Sequence, residues 1–131
     1  MTMSENFEVE IISPDKSVLK SKATEVTIPS YEGQMGILKD HIPLITFLRP
    51  GIIKINDKSE QKYFVEEGIV EFQNNNLLIL TSTAKNIVDL NKNFIDSVIK
   101  VSSERIHNND VTDKEKYLLS YKIDTLKEIN Q

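Results

Sequence analysis

The hydrophobic period of this chain changes once along its length, and that change limits the folds open to it. From Phe7 to about Thr83 the apolar residues recur mostly at every second position, the period of strands. Phe7, Val9 and Ile11 alternate with Glu8, Glu10 and Ile12. Val26 and Ile28 are set among Glu25, Thr27 and Pro29; Ile53 and Ile55 flank Lys54; Tyr63 and Val65 flank Phe64; Val70 and Phe72 flank Glu71. The run Leu77-Leu78-Ile79-Leu80 predicts a strand buried on both faces. Turn chemistry separates these runs at Pro14-Asp15, from Gly33 to Gly36, and at Pro50-Gly51, Asn56-Asp57-Lys58 and Asn74-Asn75-Asn76. Several short strands so spaced predict an antiparallel β sandwich or barrel.

After Ala84 the period becomes helical. Leu90, Phe94, Val98 and Val101 define an apolar stripe, widened by Ile95, Ile99 and Ile106. Asn108-Asn109 breaks the pattern, and Thr112 with Glu115 forms a capping box in which each side chain reaches the other's backbone N–H. A second helix carries Leu118, Leu119, Ile123, Leu126 and Ile129 on one side. The expected fold is α+β and mainly β: an antiparallel sandwich over residues 1–86, then an antiparallel two-helix hairpin over 87–131, with Lys85 to Asp89 as the joint. Helices this short are marginal alone, so the hairpin must lean on the sandwich or on a partner.

Composition excludes several functions. The 131 residues carry 16 basic and 20 acidic side chains, a net charge of -4 that opposes binding to bare nucleic acid or to an anionic membrane surface. With no cysteine there is no thiolate nucleophile, disulfide or thiolate metal ligand. The start of the chain, Met1 to Glu10, lacks the apolar stretch of a secretory signal, and no apolar run approaches the roughly 20 residues of a membrane helix.

Catalytic constellations are equally scarce. Of the two histidines, His107 falls in the interhelix loop and His41 precedes Ile42-Pro43, without a nucleophile elbow or metal-ligand spacing. Glu66 and Glu67 are neighbours on a strand end, point to opposite faces and read as solvated. Gly33 and Gly36 lack the Lys-Ser/Thr of a phosphate loop; they predict a turn with positive φ at both. No cofactor or metal is expected.

The stretch Val26-Thr-Ile-Pro-Ser-Tyr-Glu-Gly33-Gln-Met-Gly36-Ile-Leu-Lys-Asp-His41-Ile-Pro43-Leu-Ile-Thr46-Phe-Leu48-Arg-Pro-Gly51 resembles the epsilon subunit of F-type ATP synthase. Gly68-Ile-Val-Glu-Phe72, then Leu77 to Thr81 and Ala84, is similar to that family's next segment. The order of sandwich then hairpin matches too, so the resemblance covers nearly the whole chain. Lys39 stands where the family usually has Pro, a change confined to a turn.

The resemblance implies a non-catalytic subunit at the foot of a rotating central stalk of a proton-translocating synthase, peripheral on the cytoplasmic side of the inner membrane. It would couple c-ring rotation through the gamma subunit to ATP synthesis. Carried over by position, Ser13, His41 and Thr46 would face gamma and Glu32 and Gln34 the polar c-ring loops, with Gly33, Gly36 and Pro43 shaping turns. Read without the family, Glu32 and Gln34 are wet turn residues and His41 a neutral imidazole satisfying backbone.

In relatives the hairpin restrains ATP hydrolysis by reaching the alpha and beta subunits, and some bind ATP through Ile/Leu-Asp-x-x-Arg-Ala. Here that stretch is Ile95-Asp96-Ser97-Val98-Ile99-Lys100, which lacks the arginine fork, so ATP binding is not expected. Lys114, Lys116, Lys122 and Lys127 are offset by Asp113, Glu115, Asp124 and Glu128, several at i,i+4 spacing for pairing within the helix. Inhibition of hydrolysis is therefore expected to be weak or absent. A different class of function, a free-standing small-ligand module built on a β sandwich, stays open at this point. A jelly-roll-like enzyme fits least.

Overall fold

The computed structural model describes residues 5–130; the chain start at Met1 to Ser4, part of the stretch read above for a secretory signal, lies outside them. Nine strands form a continuous path: β1 (Phe7–Ile12), β2 (Ser17–Ala23), β3 (Glu25–Ser30), β5 (Leu44–Leu48), β6 (Gly51–Asn56), β7 (Glu60–Val65), β8 (Gly68–Gln73), β9 (Asn76–Leu80) and β10 (Lys85–Asn86). Their spatial order is β10-β7-β6-β3-β5-β8-β9-β1-β2, with β4 (Gly33–Leu38) paired to β3. The sheet curls over itself at the single bridge between Ser30 of β3 and Leu48 of β5, so its two limbs face each other as a sandwich.

The expected all-antiparallel pairing needs one correction. β1 runs parallel to β9, with Val9 opposite Leu77 and Ile11 opposite Ile79, because the first strand slots between β2 and the last strand of the second limb. The alternation in the sequence is otherwise realised directly. Phe7, Val9 and Ile11 of β1, Val26 and Ile28 of β3, Ile53 and Ile55 of β6, and Val70 and Phe72 of β8 all point inward and are buried. Phe7 meets Phe72 edge to face with centroids 5.5 Å apart. β9 departs from expectation: Leu77 and Ile79 are buried, but Leu80 is exposed, so the strand is dry on one face only.

Turns follow side-chain chemistry. Asn74 and Asn75 take φ of 52° and 58° between β8 and β9, the left-handed pair that a two-residue hairpin requires. The predicted turn from Gly33 to Gly36 is displaced. Tyr31 and Glu32 make the reversal and Gly33 takes φ 117°, whereas Gly36 lies in β4 opposite Thr27 and is no turn residue. The reason is local: Ser30 Oγ donates to Gly33 O at 2.7 Å and accepts from Glu32 N at 3.2 Å, closing a tighter tip.

The joint after Ala84 is not loose chain. β10 pairs with β7, and Ile87–Asp89 forms one 3-10 turn before α1 (Lys92–Ile106) and α2 (Asp113–Ile129). Asn91 Oδ1 caps α1 by accepting from Phe94 N at 2.8 Å. Thr112 Oγ1 caps α2 by accepting from Glu115 N at 3.1 Å. The other half of the expected capping box is not made. Glu115 instead accepts from Arg105 Nε at 2.8 Å and Nη2 at 3.0 Å, which clips the two helices across their loop.

The hairpin folds back onto the sandwich. Phe64 of β7, Ile95 of α1 and Leu126 of α2 are buried together, with Ile87, Leu90, Val98, Ile99 and Ile129 around them. The stripe expected on α1 is therefore rotated. Ile95 and Ser102 are buried, while Phe94 and Val101 are 39% and 65% exposed.

Candidate docking surfaces

The alternation that fills the sandwich also decides what its outside presents. On the limb β5-β8-β9-β1 the registers align Phe47, Ile69, Leu80 and Ile12 in one row across four strands. All four point away from the core; Phe47 is 57% exposed, and Ile69 and Leu80 are also exposed. The next row holds Ile45, Glu71, Leu78 and Glu10, with Ile45 69% exposed. Beside the first row a groove of about 640 Å³ is lined by Ser13, Tyr31, Phe47, Ile69, Leu80 and Thr81 among others. A contiguous apolar strip on a charged surface marks a place where another molecule sits.

The residues singled out from sequence fall around this strip in different ways. Ser13 borders the groove at one end, where its N–H and Oγ both donate to Lys16 O. His41 lies toward the other end, half-buried, its Nδ1 2.7 Å from Ile42 O and its ring edge-on to Phe72. Thr46 does not reach the surface: it is 8% exposed and faces inward beside Val70, so its neighbours Ile45 and Phe47 are what β5 presents outside. Pro43 is exposed just before β5. Glu32 and Gln34 are exposed around the β3–β4 tip, at the Ser13 end of the molecule.

A second surface escaped sequence reasoning. Tyr31 at the same tip stacks on Tyr117 of α2 (centroids 6.1 Å, interplanar angle 17°), and Tyr117 meets Tyr121 edge-on at 4.9 Å. The Arg49 guanidinium lies 3.8 Å over the Tyr121 ring. Desolvation, then the neighbouring Tyr121 hydroxyl, pushes the Tyr117 phenol up. Lys122 Nζ sits 2.7 Å from Glu66 Oε1, so Glu66 is no solvated strand-end residue, and Glu67 accepts from Ser82 at 3.1 Å. The pairing expected within α2 gives way to this one: among the described residues no salt bridge joins two side chains of α2. The sequence signal was Tyr117 and Tyr121 one helical turn apart, with Lys122 beside them.

Residues 6–87 match the model of the ATP synthase delta/epsilon chain β-sandwich domain. The ATP synthase epsilon chain of Pelagibacter ubique strain HTCC1062 is 55% identical over 130 residues, covering 98% of this chain and 100% of that one. The chain belongs to the ATP synthase epsilon chain family. Solved structures agree in fold. A chain of the Euglena gracilis mitochondrial ATP synthase superposes with TM-score 0.83 at 15% identity, covering 100% of this chain and 85% of that one. One from the central stalk and c-ring of the Tetrahymena thermophila mitochondrial enzyme superposes with TM-score 0.64 at 16% identity, covering 95% and 96%. The alignment with the Pelagibacter epsilon chain spans 98% of this chain and so includes the residues of α1 and α2. Among the described residues of this epsilon-family chain, no three His, Cys, Asp or Glu converge as a metal site would require, and no helix is long and apolar enough to cross a membrane.

Proposed function

We propose that this chain works without chemistry of its own, as the central-stalk epsilon subunit that couples c-ring rotation through gamma to ATP synthesis in a rotary, proton-translocating enzyme. The sandwich, residues 1–86, grips gamma with the strip Ile45-Phe47-Ile69-Leu80, bounded by Ser13 and His41. Its β3–β4 tip, with Glu32 and Gln34, rests on polar loops of the c-ring. The hairpin, residues 87–131, is the separate regulatory element. Because the charges of α2 offset one another, its inhibition of hydrolysis at the alpha and beta subunits is weak. The complex holds the subunit peripherally, on the cytoplasmic side of the inner membrane.

The observation that carries this reading is the aligned apolar row on the outside of a tightly packed sandwich. Packed interiors transmit strain instead of absorbing it, so torque applied at such a face reaches the opposite end of the block. The test is co-elution with the cognate gamma subunit at micromolar concentrations. Phe47→Asp puts a charge on an exposed strand position, so the fold survives while affinity falls at least about tenfold, or 1.4 kcal/mol. Undiminished binding by this variant would move the gamma contact elsewhere. Absence of binding by the parent chain would end the proposal.

A further inference from the structure

We propose that the cleft between β6, β7 and α2 binds a small phosphate oxyanion. The cleft has a volume of about 190 Å³, and its lining includes Arg49, Lys54, Lys62, Gln34, Thr125 and Glu128. Lys54 and Lys62 are direct register partners on β6 and β7 and present their side chains to the same cleft. Like charges placed opposite each other destabilise a sheet, so this pair has a standing cost. Lys62 is partly offset by the exposed Glu60 at 3.5 Å; Lys54 makes no salt bridge among the described residues. Arg49 adds a third cation. Its Nη1 donates to Pro50 O and its face is covered by Tyr121, but its Nε is buried with no hydrogen-bond partner. A buried, unsatisfied donor on a charged group is costly.

Three cations therefore face one carboxylate, Glu128, which stands outside salt-bridge distance of all three. A tetrahedral dianion supplies what is missing: negative charge between the lysines and acceptor oxygens for the arginine and Gln34. Size narrows the ligand. At about 190 Å³ the cleft is below the roughly 300 Å³ at which sites for drug-sized molecules begin and suits a phosphate or pyrophosphate group.

The experiment is thermal melting of the full chain in inorganic phosphate or pyrophosphate against chloride of matched ionic strength. A saturable rise of roughly 5 °C at ten times Kd is expected. The double variant Lys54→Gln/Lys62→Gln loses that rise, and without ligand it melts at or above the parent because the repulsion is gone. Glu128→Gln binds several-fold more tightly, which keeps the proposal testable should the double variant fold poorly. A parallel arm asks for cosedimentation with phosphatidylglycerol vesicles. Binding there that the double variant abolishes, without a response to free anion, assigns the phosphate to a lipid headgroup. The proposal is overturned by no response in either arm at millimolar phosphate, by a rise that persists in the double variant, or by unchanged affinity in Glu128→Gln.

Discussion

Inside the sandwich, Ile11, Val26, Ile28, Ile37, Ile53 and Ile79 are all fully buried, and aliphatic and aromatic side chains from both limbs interlock. Between the sandwich and the hairpin, Phe64, Ile95 and Leu126 form the buried cluster, with Ile87, Leu90, Val98, Ile99 and Ile129 only partly buried around it, and polar contacts add Tyr31 on Tyr117, Arg49 on Tyr121, Lys85 on Phe94 and Lys122 with Glu66. The first region is held by a dry core whose Val, Ile, Leu and Phe members each contribute about 1.5–3 kcal/mol by burial. The second has a small apolar spot and a ring of half-wet polar contacts, each worth about 1 kcal/mol or less. One body is thus closed by many more buried side chains than the other, and opening free energies within one molecule can differ on that account.

The sharpest way to break this comparison is to remove a comparable buried side chain from each region. Phe72→Ala, at a residue 1% exposed and packed on Phe7, should cost about 3–5 kcal/mol and lower the melting of the whole chain. Leu126→Ala, at a residue with 0% exposure, removes a similar apolar mass, about 2–5 kcal/mol locally. Hydrogen exchange should then show unprotected amides in α1 and α2 while β1 to β9 keep their protection. If the strands lose protection together with the helices, sandwich and hairpin form one cooperative unit and the contrast fails.

The division itself was legible in the sequence, because strand and helix periods are local properties of the chain. Which face of each element is buried was less so. On α1 the most regular stripe ran through Phe94 and Val101, yet Ile95 is the residue that meets Phe64, since the approach of the sandwich sets the helix rotation. On β5, Leu44, Thr46 and Leu48 turn inward and Ile45 and Phe47 outward; both sets are largely apolar, so alternation alone did not say which was which. The two-residue β10 carries too little pattern to be read. Lys122 and Glu66 are remote in sequence, so nothing local favoured their pairing over partners within α2. The surface residues Ser13, His41, Glu32 and Gln34 were located by motif; the Tyr31–Tyr117–Tyr121–Arg49 stack was not.

A smaller effect sharpens the same contrast through charge. Lys122→Met removes one partner of the 2.7 Å pair, whose side chains are 21% and 37% exposed, and should loosen the docked hairpin by about 1 kcal/mol. Tryptic cleavage within α2 reports the loosening, and added salt should reproduce part of it in the parent chain but not in the variant. The melting of the sandwich should stay where it was. A variant as resistant as the parent would leave the apolar cluster and the tyrosine stack as the whole of the latch.

The smallest effect concerns the far end of the hairpin, where pH replaces mutation. Hydrogen bonds from Arg105 hold the Glu115 carboxyl below the usual carboxylate range. A group whose pKa is lowered by folding stabilises the fold above its unfolded value and loses that contribution as pH falls through the folded one. The clip between α1 and α2 is therefore intact at neutral pH and is released in acid, below the ordinary titration of a glutamate. The buried core of the sandwich contains no carboxylate among the described residues, so the same acidification leaves its interior untouched. NMR of the Glu115 carboxyl should show a lowered midpoint that returns to the ordinary range in Arg105→Gln, and Glu115→Gln should remove the acid step from the helix signal. An unshifted midpoint in the parent would mean that the clip is not populated in solution, and that the loop, the Asn130–Asp96 hydrogen bond and the apolar cluster at Phe64 join the two helices without it.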